Sequence, residues 1–306
     1  MPQATRDIKR RIKSVTNTHK ITKAMELVAA AKMRKAVAKV LATRTYADLT
    51  WQTVLRLVKR IDAFAHPFFQ EADEVKNVAV VLISTNRGLC GSFNSNLVMK
   101  VVDSIKLHHP DSRVTDLITM GSRGRDEARR HGLDIIADFD KEDITIDSTV
   151  VRPISNMIIK DFVAKKYDKV FVAYVDFQSS LKQMPHVKQL LPIVPEIDER
   201  LGHIVHSAEK ESNGNIDLTN VPEFVFEPGR HAVLDAFLPR LLEIQTYQAV
   251  LESEASEHSA RMFAMRNASD AATDMINELT LAYNQARQAG ITAELAEISA
   301  GAASLE

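Results

Sequence analysis

The sequence predicts a long antiparallel coiled coil of N- and C-terminal helices with an inserted, Rossmann-like, doubly wound α/β domain. Three observations support this fold class. Residues 3–66 contain neither proline nor glycine, the residues that most often end a helix, and the fifty residues between Pro239 and Gly290 also lack both. Between these segments, apolar runs of strand length alternate with helical segments. We therefore divide the chain into an N-terminal shaft helix (1–66), an inserted α/β domain (75–228) and a C-terminal shaft helix (231–306).

The N-terminal helix carries apolar residues at helical spacing, in a stripe that drifts around the helix. Most helical stability in proteins comes from burying such a stripe, so this helix needs a partner helix. Small side chains such as Ala29, Ala30 and Ala36 allow a second backbone to approach closely. The apolar stripe consists of Ile8, Ile12, Val15, Ile21, Met25, Val28, Met33, Val37, Val40 and Leu41.

The middle of the chain reads as a domain of alternating strands and helices. His66 and Pro67 end the first helix, and a polar connector follows them. Residues 77–85 form a continuous apolar run rich in β-branched residues, which is typical of a strand covered on both faces. One helix is predicted from the turn at 86–94 to about His108, and two more are predicted at 122–131 and at 148–166. Further strands are predicted at 113–121, 133–139, 169–177, 187–193 and 224–226, and those at 169–177 and 187–193 are candidates for an antiparallel pair.

The C-terminal helix shows the seam of a coiled coil. At about 1.5 Å per residue, the segment from Arg240 to Ser304 is roughly 95 Å long, so we expect it to extend beyond any globular body. The uncharged tip, Ile298–Leu305, is typical of a segment that enters an apolar socket. One heptad register holds Leu241, Gln248, Ala255, Met262, Ser269, Ile276 and Tyr283, and the other holds Ile244, Leu251, His258, Met265, Ala272, Leu279 and Ala286.

Charge is segregated between the two terminal segments, although the whole chain has a formal net charge of -1. Residues 3–66 hold fifteen Lys and Arg against four Asp and Glu, whereas residues 231–306 hold four against eleven. Opposite charges favour pairing of the two helices, with each exposed ion pair contributing about 0.2 to 1 kcal/mol. This segregation indicates charged interfaces rather than a uniformly basic nucleic-acid-binding protein.

The composition excludes several other classes of protein. A hydrophobic content of 45% excludes a disordered chain. No apolar run approaches the length that crosses a bilayer, and Met1 leads directly into a charged helix, so we expect neither a membrane span nor a signal peptide. Cys90 is the single cysteine, which excludes an internal disulfide and fits a reducing compartment. The ten histidines lack metal-binding spacing, so no metal site is predicted.

The turn after the first strand is the candidate site of the α/β domain. Gly88 and Gly91 lie where a dinucleotide-binding fold places its phosphate loop, but their spacing is G-x-x-G rather than G-x-G-x-x-G. We interpret them as a tight turn that needs glycine conformations. Arg87 is a candidate anion ligand at the start of the next helix. Cys90 is interpreted as a small packed thiol, with a nucleophile as the alternative.

Two other functions stay open on the residues alone. A doubly wound domain can carry a nucleotide-dependent enzyme, although no P-loop pattern occurs in the chain. The basic first helix can belong to a coiled-coil nucleic-acid-binding protein, but it lacks interleaved aromatic residues.

Four separate sequence motifs, in a fixed order, make the chain resemble the gamma subunits of F-type ATP synthases over nearly its whole length. The residues that carry the resemblance are Lys20–Ala30 in the first helix, Arg87–Gly91 with Asn94 and Asn96 at the inserted turn, Ser256–Met265 with Ala268–Asp270, and Tyr283–Ala289. The chain departs from this family at Gly290 and Ala293, near the C-terminal tip.

The resemblance implies a central-stalk rotor that couples ion flow through the membrane to ATP synthesis or hydrolysis at the beta subunits. It implies no catalytic residue, cofactor or metal in this chain. The implied partners are the alpha and beta subunits, the epsilon subunit and the membrane c ring, at the cytoplasmic face of a bacterial plasma membrane. The residues implied to contact beta-subunit loops are Met25, Arg287, Gln288 and Thr292, and those implied at the base of the stalk are Arg87, Gly88, Cys90 and Gly91.

Overall fold

The computed structural model of the chain describes residues 3–58, 66–108, 114–143, 147–194 and 229–303. Two short 3-10 helices occur at Pro67–Phe69 and Ser148–Val151. The predicted strand at 224–226 lies outside the described residues, and the predicted division at 1–66, 75–228 and 231–306 stays a prediction. The main elements are α1 (Gln3–Val58), β1 (Asn77–Ile83), α2 (Phe93–His108), β2 (Val114–Met120), α3 (Ser122–Arg130), β3 (Asp134–Phe139), α4 (Arg152–Val163), β4 (Lys169–Phe177), β5 (Gln183–Leu191) and α5 (Arg230–Ala303).

The strands form one five-stranded sheet in the order β3-β2-β1-β4-β5. Strands β1 to β4 run parallel, and β5 pairs antiparallel with β4, which confirms the antiparallel pair considered from the sequence. Strand β5 begins at Gln183, four residues before the predicted start, because it continues through Pro185 opposite Val175. Proline is tolerated there because β5 is an edge strand, where a missing N–H need not break a ladder.

Strand β1 is buried on both faces, as its continuous apolar run predicted. Val78, Val80 and Leu82 pack in a core with α2 and α3, whereas Ala79, Val81 and Ile83 pack in a second core on the opposite face. That second core also contains side chains of α4 and of the first turns of α5, including Ile154, Ile158, Leu238 and Leu242. The helix α5 is therefore part of the core of the α/β domain.

The chain divides into two compact units. Residues 31–260 form the unit that contains the sheet, and residues 1–30 with 261–306 form the other. In the second unit, one face of α5 is buried or half-buried at alternating spacings of three and four, which confirms the predicted coiled-coil seam there. The seam residues are Met262, Met265, Ser269, Ala272, Ile276, Leu279, Tyr283, Ala286 and Gly290.

Helices α1 and α5 run antiparallel within residues 31–260. The Thr43 hydroxyl donates a hydrogen bond of 2.9 Å to the side-chain carbonyl of Gln248. Earlier in α1, Lys32 binds the carboxylate of Asp143, and later in α5, His258 contacts the backbone carbonyl of the same residue. Because the position on α1 rises while that on α5 falls, the two helices have opposite directions, as predicted.

The predicted stripe of α1 is wrong at three of its positions. Ile21, Val28 and Leu41 are 60%, 57% and 49% exposed. The buried and half-buried side chains keep the spacing of a heptad seam instead of drifting, because a neighbouring helix selects positions by geometry and accepts small or polar side chains there. These seam residues are Thr5, Ile8, Ile12, Val15, His19, Thr22, Glu26, Ala29, Met33, Ala36, Val40, Thr43, Ala47 and Thr50.

A glycine is required where α3 begins beside the end of β1. The backbone N–H of Gly124 donates to the hydroxyl of Ser84 over 3.1 Å. A Cβ atom at Gly124 would lie 2.3 Å from both Cβ and Oγ of Ser84, whereas a Cβ at Gly88 would meet nothing within 4 Å.

We expect Gly124→Ala to lower the free energy of unfolding by about 2–4 kcal/mol, because strand and helix must separate to admit the methyl group. The control is Gly88→Ala, which we expect to change it by less than about 0.5 kcal/mol. Urea unfolding followed by circular dichroism measures both variants. Equal stability of the two variants would contradict the close approach of α3 and β1.

Candidate functional site

The turn after β1 places its glycines differently from the prediction. Gly91 has φ +63°, as a glycine turn requires, but the other positive φ, also 63°, belongs to Leu89 and not to Gly88. The prediction that these glycines adopt conformations disfavoured for other residues is therefore confirmed for Gly91 and wrong for Gly88. Cys90 is buried, and its Sγ accepts a hydrogen bond of 3.7 Å from the side-chain amide of Asn94. This environment supports the packed-thiol interpretation of Cys90.

Arg87 reaches back to the chain's own acidic side chain. Its guanidinium lies 3.6 Å from the carboxylate of Asp143, and 75% of the arginine side chain is exposed. Lys32 and Arg87 both lower the pKa of Asp143, with the hydrogen bond from Lys32 as the largest cause. The anion near Arg87 in this structure is therefore Asp143.

The crevice in which doubly wound folds bind ligands is filled by α5. Such folds bind ligands at the carboxyl ends of the strands, where the strand order reverses. Here the order reverses between β1 and β4. The hydroxyl of Ser253 donates to the backbone carbonyl of Ile83 at the end of β1 over 3.2 Å. At the end of β4, Phe177 shares a core cluster with Leu251 and Ala255.

Residues 140–143, which follow β3 and which we call the strap, connect this edge of the sheet to α5. The ammonium group of Lys141 donates to the backbone carbonyl of Ser84 over 2.9 Å and to the carboxylate of Glu257 over 2.7 Å. The side chains of Lys141 and Glu257 are only 2% and 10% exposed. At the other end of the strap, the backbone carbonyl of Asp143 accepts a hydrogen bond of 3.2 Å from Nε2 of His258.

The part of α5 around the strap is buried on nearly all sides although many of its side chains are polar. The two-register seam predicted from the sequence missed most of these residues, because hydropathy does not identify a polar helix that is enclosed by its own protein. The one sequence signal for this buried segment was the family motif that begins at Ser256 and Glu257. The buried polar residues are Glu243, Gln245, Thr246, Gln248, Glu252, Ser253, Glu254, Ser256, Glu257, His258 and Ser259.

Glu252 is an acid of this buried segment whose pKa is strongly shifted. Burial raises its pKa from 4.5 to about 7, and the carboxylate of Asp176 acts in the same direction. A hydrogen bond of 3.0 Å from the side-chain amide of Gln248 and the charge of Arg44 act against this rise. The burial of a carboxyl group at this position therefore favours its protonated form below about pH 7.

We expect the free energy of unfolding to fall by about 3 kcal/mol between pH 4.5 and pH 7 through Glu252 alone, because only the folded state holds a proton on this group in that range. Glu252→Gln should remove this part of the pH dependence. Urea unfolding near pH 5 and near pH 8 measures it, with Glu278→Gln, an exposed position of α5, as the control. An unchanged pH dependence in Glu252→Gln would contradict the assignment.

The four residues that the resemblance implies contact beta-subunit loops lie in the unit formed by 1–30 and 261–306. Met25 is half-buried on α1, beside the seam residue Glu26. Arg287, Gln288 and Thr292 are exposed on α5, and the hydroxyl of Thr292 donates to the backbone carbonyl of Gln288 over 3.0 Å.

The seam of α5 ends at Gly290. Every residue from 291 to 300 is exposed. Ile291, Leu295 and Ile298 share one helix face in this stretch, and they are 50%, 59% and 69% exposed. This exposed face begins before the predicted tip at 298–305, of which only Ile298, Ser299 and Ala300 have a described exposure, so the socket-entering tip stays a prediction.

Two further features bear on the kinds of site the chain offers. Within the described ranges, no cluster of three or more His, Cys, Asp or Glu side chains is arranged to hold a metal ion. A search of the same ranges found no helix with the length and apolar character of a membrane span.

Comparisons with known proteins all indicate one family. A family model described as ATP synthase matches residues 4–305. The ATP synthase gamma chain of Chloroflexus aurantiacus is 40% identical over 307 residues, which cover 100% of this chain and 99% of the relative. The gamma chain of Herpetosiphon aurantiacus is 42% identical over 311 residues, with 98% of each chain covered.

Solved structures show the same fold. A chain of the Euglena gracilis mitochondrial ATP synthase (OSCP/F1/c-ring) has a TM-score of 0.65 at 19% identity, covering 99% of this chain and 94% of that one. A chain of the central stalk and c-ring of the Tetrahymena thermophila mitochondrial enzyme has a TM-score of 0.58 at 23% identity, covering 81% of this chain and 99% of that one. The predicted coiled coil with its inserted α/β domain is thereby confirmed as the fold class.

Proposed function

Since this chain belongs to the ATP synthase gamma chain family, we propose that it is the central-stalk rotor subunit of an F-type ATP synthase. The observation that carries this function is the match to gamma chains over residues 4–305, nearly the full sequence. In this role the chain couples ion flow through the membrane sector to ATP synthesis or hydrolysis at the beta subunits. It turns inside their ring and itself performs no chemistry.

The structure supports a mechanical role for α5. The helix is enclosed in the α/β domain from Leu241 to Ser259, so rotation of that domain must turn the helix. The same helix then continues to Ala303 and carries the exposed apolar face of Ile291, Leu295 and Ile298. One end is suited to receiving torque, and the other to bearing against a surrounding ring of subunits.

The partners in this role are the alpha and beta subunits around the shaft, and the epsilon subunit and c ring at its base. Exposed apolar side chains in the unit of residues 1–30 and 261–306 would be covered by the ring, because burying them removes apolar surface from water. They are Ile21, Leu27, Val28, Met275, Leu281, Ile291, Leu295 and Ile298. The subunit is then a peripheral membrane protein at the cytoplasmic face of a bacterial plasma membrane.

Residue contacts within this role follow from matched positions. Met25, Arg287, Gln288 and Thr292 contact loops of the beta subunits, where the arginine can bind a carboxylate with two hydrogen bonds. The turn Arg87–Gly91 lies at the base of the stalk. No nucleotide site is assigned to the α/β domain, because α5 fills the crevice that would hold one.

Reconstitution with alpha and beta subunits of a related enzyme tests the function directly. We expect the chain to co-purify with them, to support ATP hydrolysis and to rotate relative to the ring. The isolated chain should bind neither ATP nor NAD in calorimetry, and it should release nucleic acid in a salt gradient. Failure to assemble, together with nucleotide binding by the isolated chain, would instead support an enzyme.

We expect deletion of residues 291–306 to leave the chain folded but to weaken rotation in the complex, because the deleted side chains described in the structure are exposed in the isolated chain. Circular dichroism should show a loss of helical signal limited to the deleted residues, with an unchanged thermal midpoint. ATP-driven rotation of the assembled complex measures the second effect. Global unfolding of the truncated chain would contradict the exposed position of this segment.

We expect Met25→Lys to reduce the number of ions transported per ATP hydrolysed while assembly stays intact. An ammonium group on this basic helix can bind acidic side chains of a beta-subunit loop at one rotary angle. An ion pair of about 1 to 2 kcal/mol would slow passage of that angle roughly five- to thirtyfold.

Ion uptake and ATP hydrolysis measured in the same inverted vesicles test this prediction, with Met25→Leu as the uncharged control. Equal losses of uptake and hydrolysis, or no loss of either, would mean that Met25 only packs within the coiled coil.

A further inference from the structure

A rotor needs a connection that resists sliding between the α/β domain and the shaft helix. The hydrophobic effect is non-directional, so apolar burial by itself does not specify a single orientation of a helix on a surface. Hydrogen bonds and ion pairs have fixed lengths and angles, and they oppose such a shift. At the carboxyl edge of the sheet, α5 makes contacts of this second kind in addition to the apolar contacts of Leu251 and Ala255 with Phe177.

Lys141 is the centre of these contacts. It joins the residue that follows β1 to α5, because its ammonium group binds both the backbone carbonyl of Ser84 and the carboxylate of Glu257. Further hydrogen bonds fix neighbouring turns of the same helix. Ser253 donates to the carbonyl of Ile83, and Ser259 donates to the carbonyl of Ser180 over 2.6 Å.

The burial of the Lys141–Glu257 pair indicates a role other than stability. Removing two charges from water has a desolvation cost that often equals or exceeds their attraction, so apolar side chains of similar volume stabilise a protein as well or better. What a buried ion pair adds is a fixed geometry between two elements. Here these elements are the α/β domain and the helix that leaves it.

We propose that Lys141 and Glu257 are the positioning residues through which torque passes between the α/β domain and the shaft helix. This inference rests on the proposed rotor function and names the residues that carry the mechanical load within it. The ion pair between Lys32 and Asp143, at 3.0 Å, connects the same strap to α1. Its side chains are 29% and 45% exposed, so solvent screening makes it the weaker of the two connections.

The decisive variant is the double substitution Lys141→Met/Glu257→Met, which removes both charges together and leaves no unpaired buried charge. It is assembled with the alpha, beta, epsilon and membrane subunits. The matched control is Arg125→Met/Asp138→Met. That pair is also 2.7 Å apart, but it joins α3 to β3, two elements of the α/β domain.

We expect the Lys141→Met/Glu257→Met complex to hydrolyse ATP with a loss of ions transported per ATP. The angular fluctuations of a probe on the α/β domain should also widen when the ring is fixed. The control should keep both values. A double variant with wild-type transport per ATP and wild-type fluctuations overturns the inference, as does an equal loss of transport and hydrolysis, which a merely structural role produces.

If the double variant does not assemble, Glu257→Gln gives the answer. The amide keeps a hydrogen-bond acceptor for Lys141 and removes the negative charge, so we expect an intermediate loss of transport per ATP. Wild-type coupling in this variant overturns the inference. Failure of the wild-type chain itself to assemble or rotate would refute the proposed function, and this result is distinguishable from the others.

Discussion

The burial of α5 in the α/β domain is the constraint on which the rest of the structure depends. From Leu241 to Ser259 this helix is enclosed by the sheet edge, the strap and α1, where polar side chains such as Gln248 and Glu257 find partners. Because buried polar groups without partners are costly, each of these contacts limits α5 to one rotation about its own axis and one position along that axis. The same enclosure fills the crevice that a nucleotide would otherwise use.

Outside this enclosure, α5 and α1 follow a simpler rule. Their mutual seam uses positions spaced three and four apart, and many of the seam side chains are small or polar. Larger apolar residues such as Ile21, Leu27 and Val28 point away from the seam and remain exposed. Such a pair of helices buries its shared seam but leaves large apolar side chains exposed on its outer surface. That combination suits a shaft that turns inside other subunits.

Particular residues explain which predictions were correct. Residues 78–83 carry no polar side chain, so the central strand and its burial on both faces followed from the local pattern alone. The seam of α5 after residue 260 followed from its heptads, because only one partner helix covers it. The predicted start of β5 was four residues late, because the sequence around Pro185 does not show that this proline lies on an edge strand, where it is tolerated.

The sequence by itself determined the order of the elements, the antiparallel pairing of the oppositely charged helices and the family. These features depend on periodicity, on composition and on short motifs of adjacent residues. Only the tertiary structure decided which side chains of α1 are buried, why Gly124 must be glycine, and that Lys141 meets Glu257 across 116 positions. Such contacts join residues far apart in the chain. Their identity depends on how elements pack in space, and no local pattern encodes that geometry.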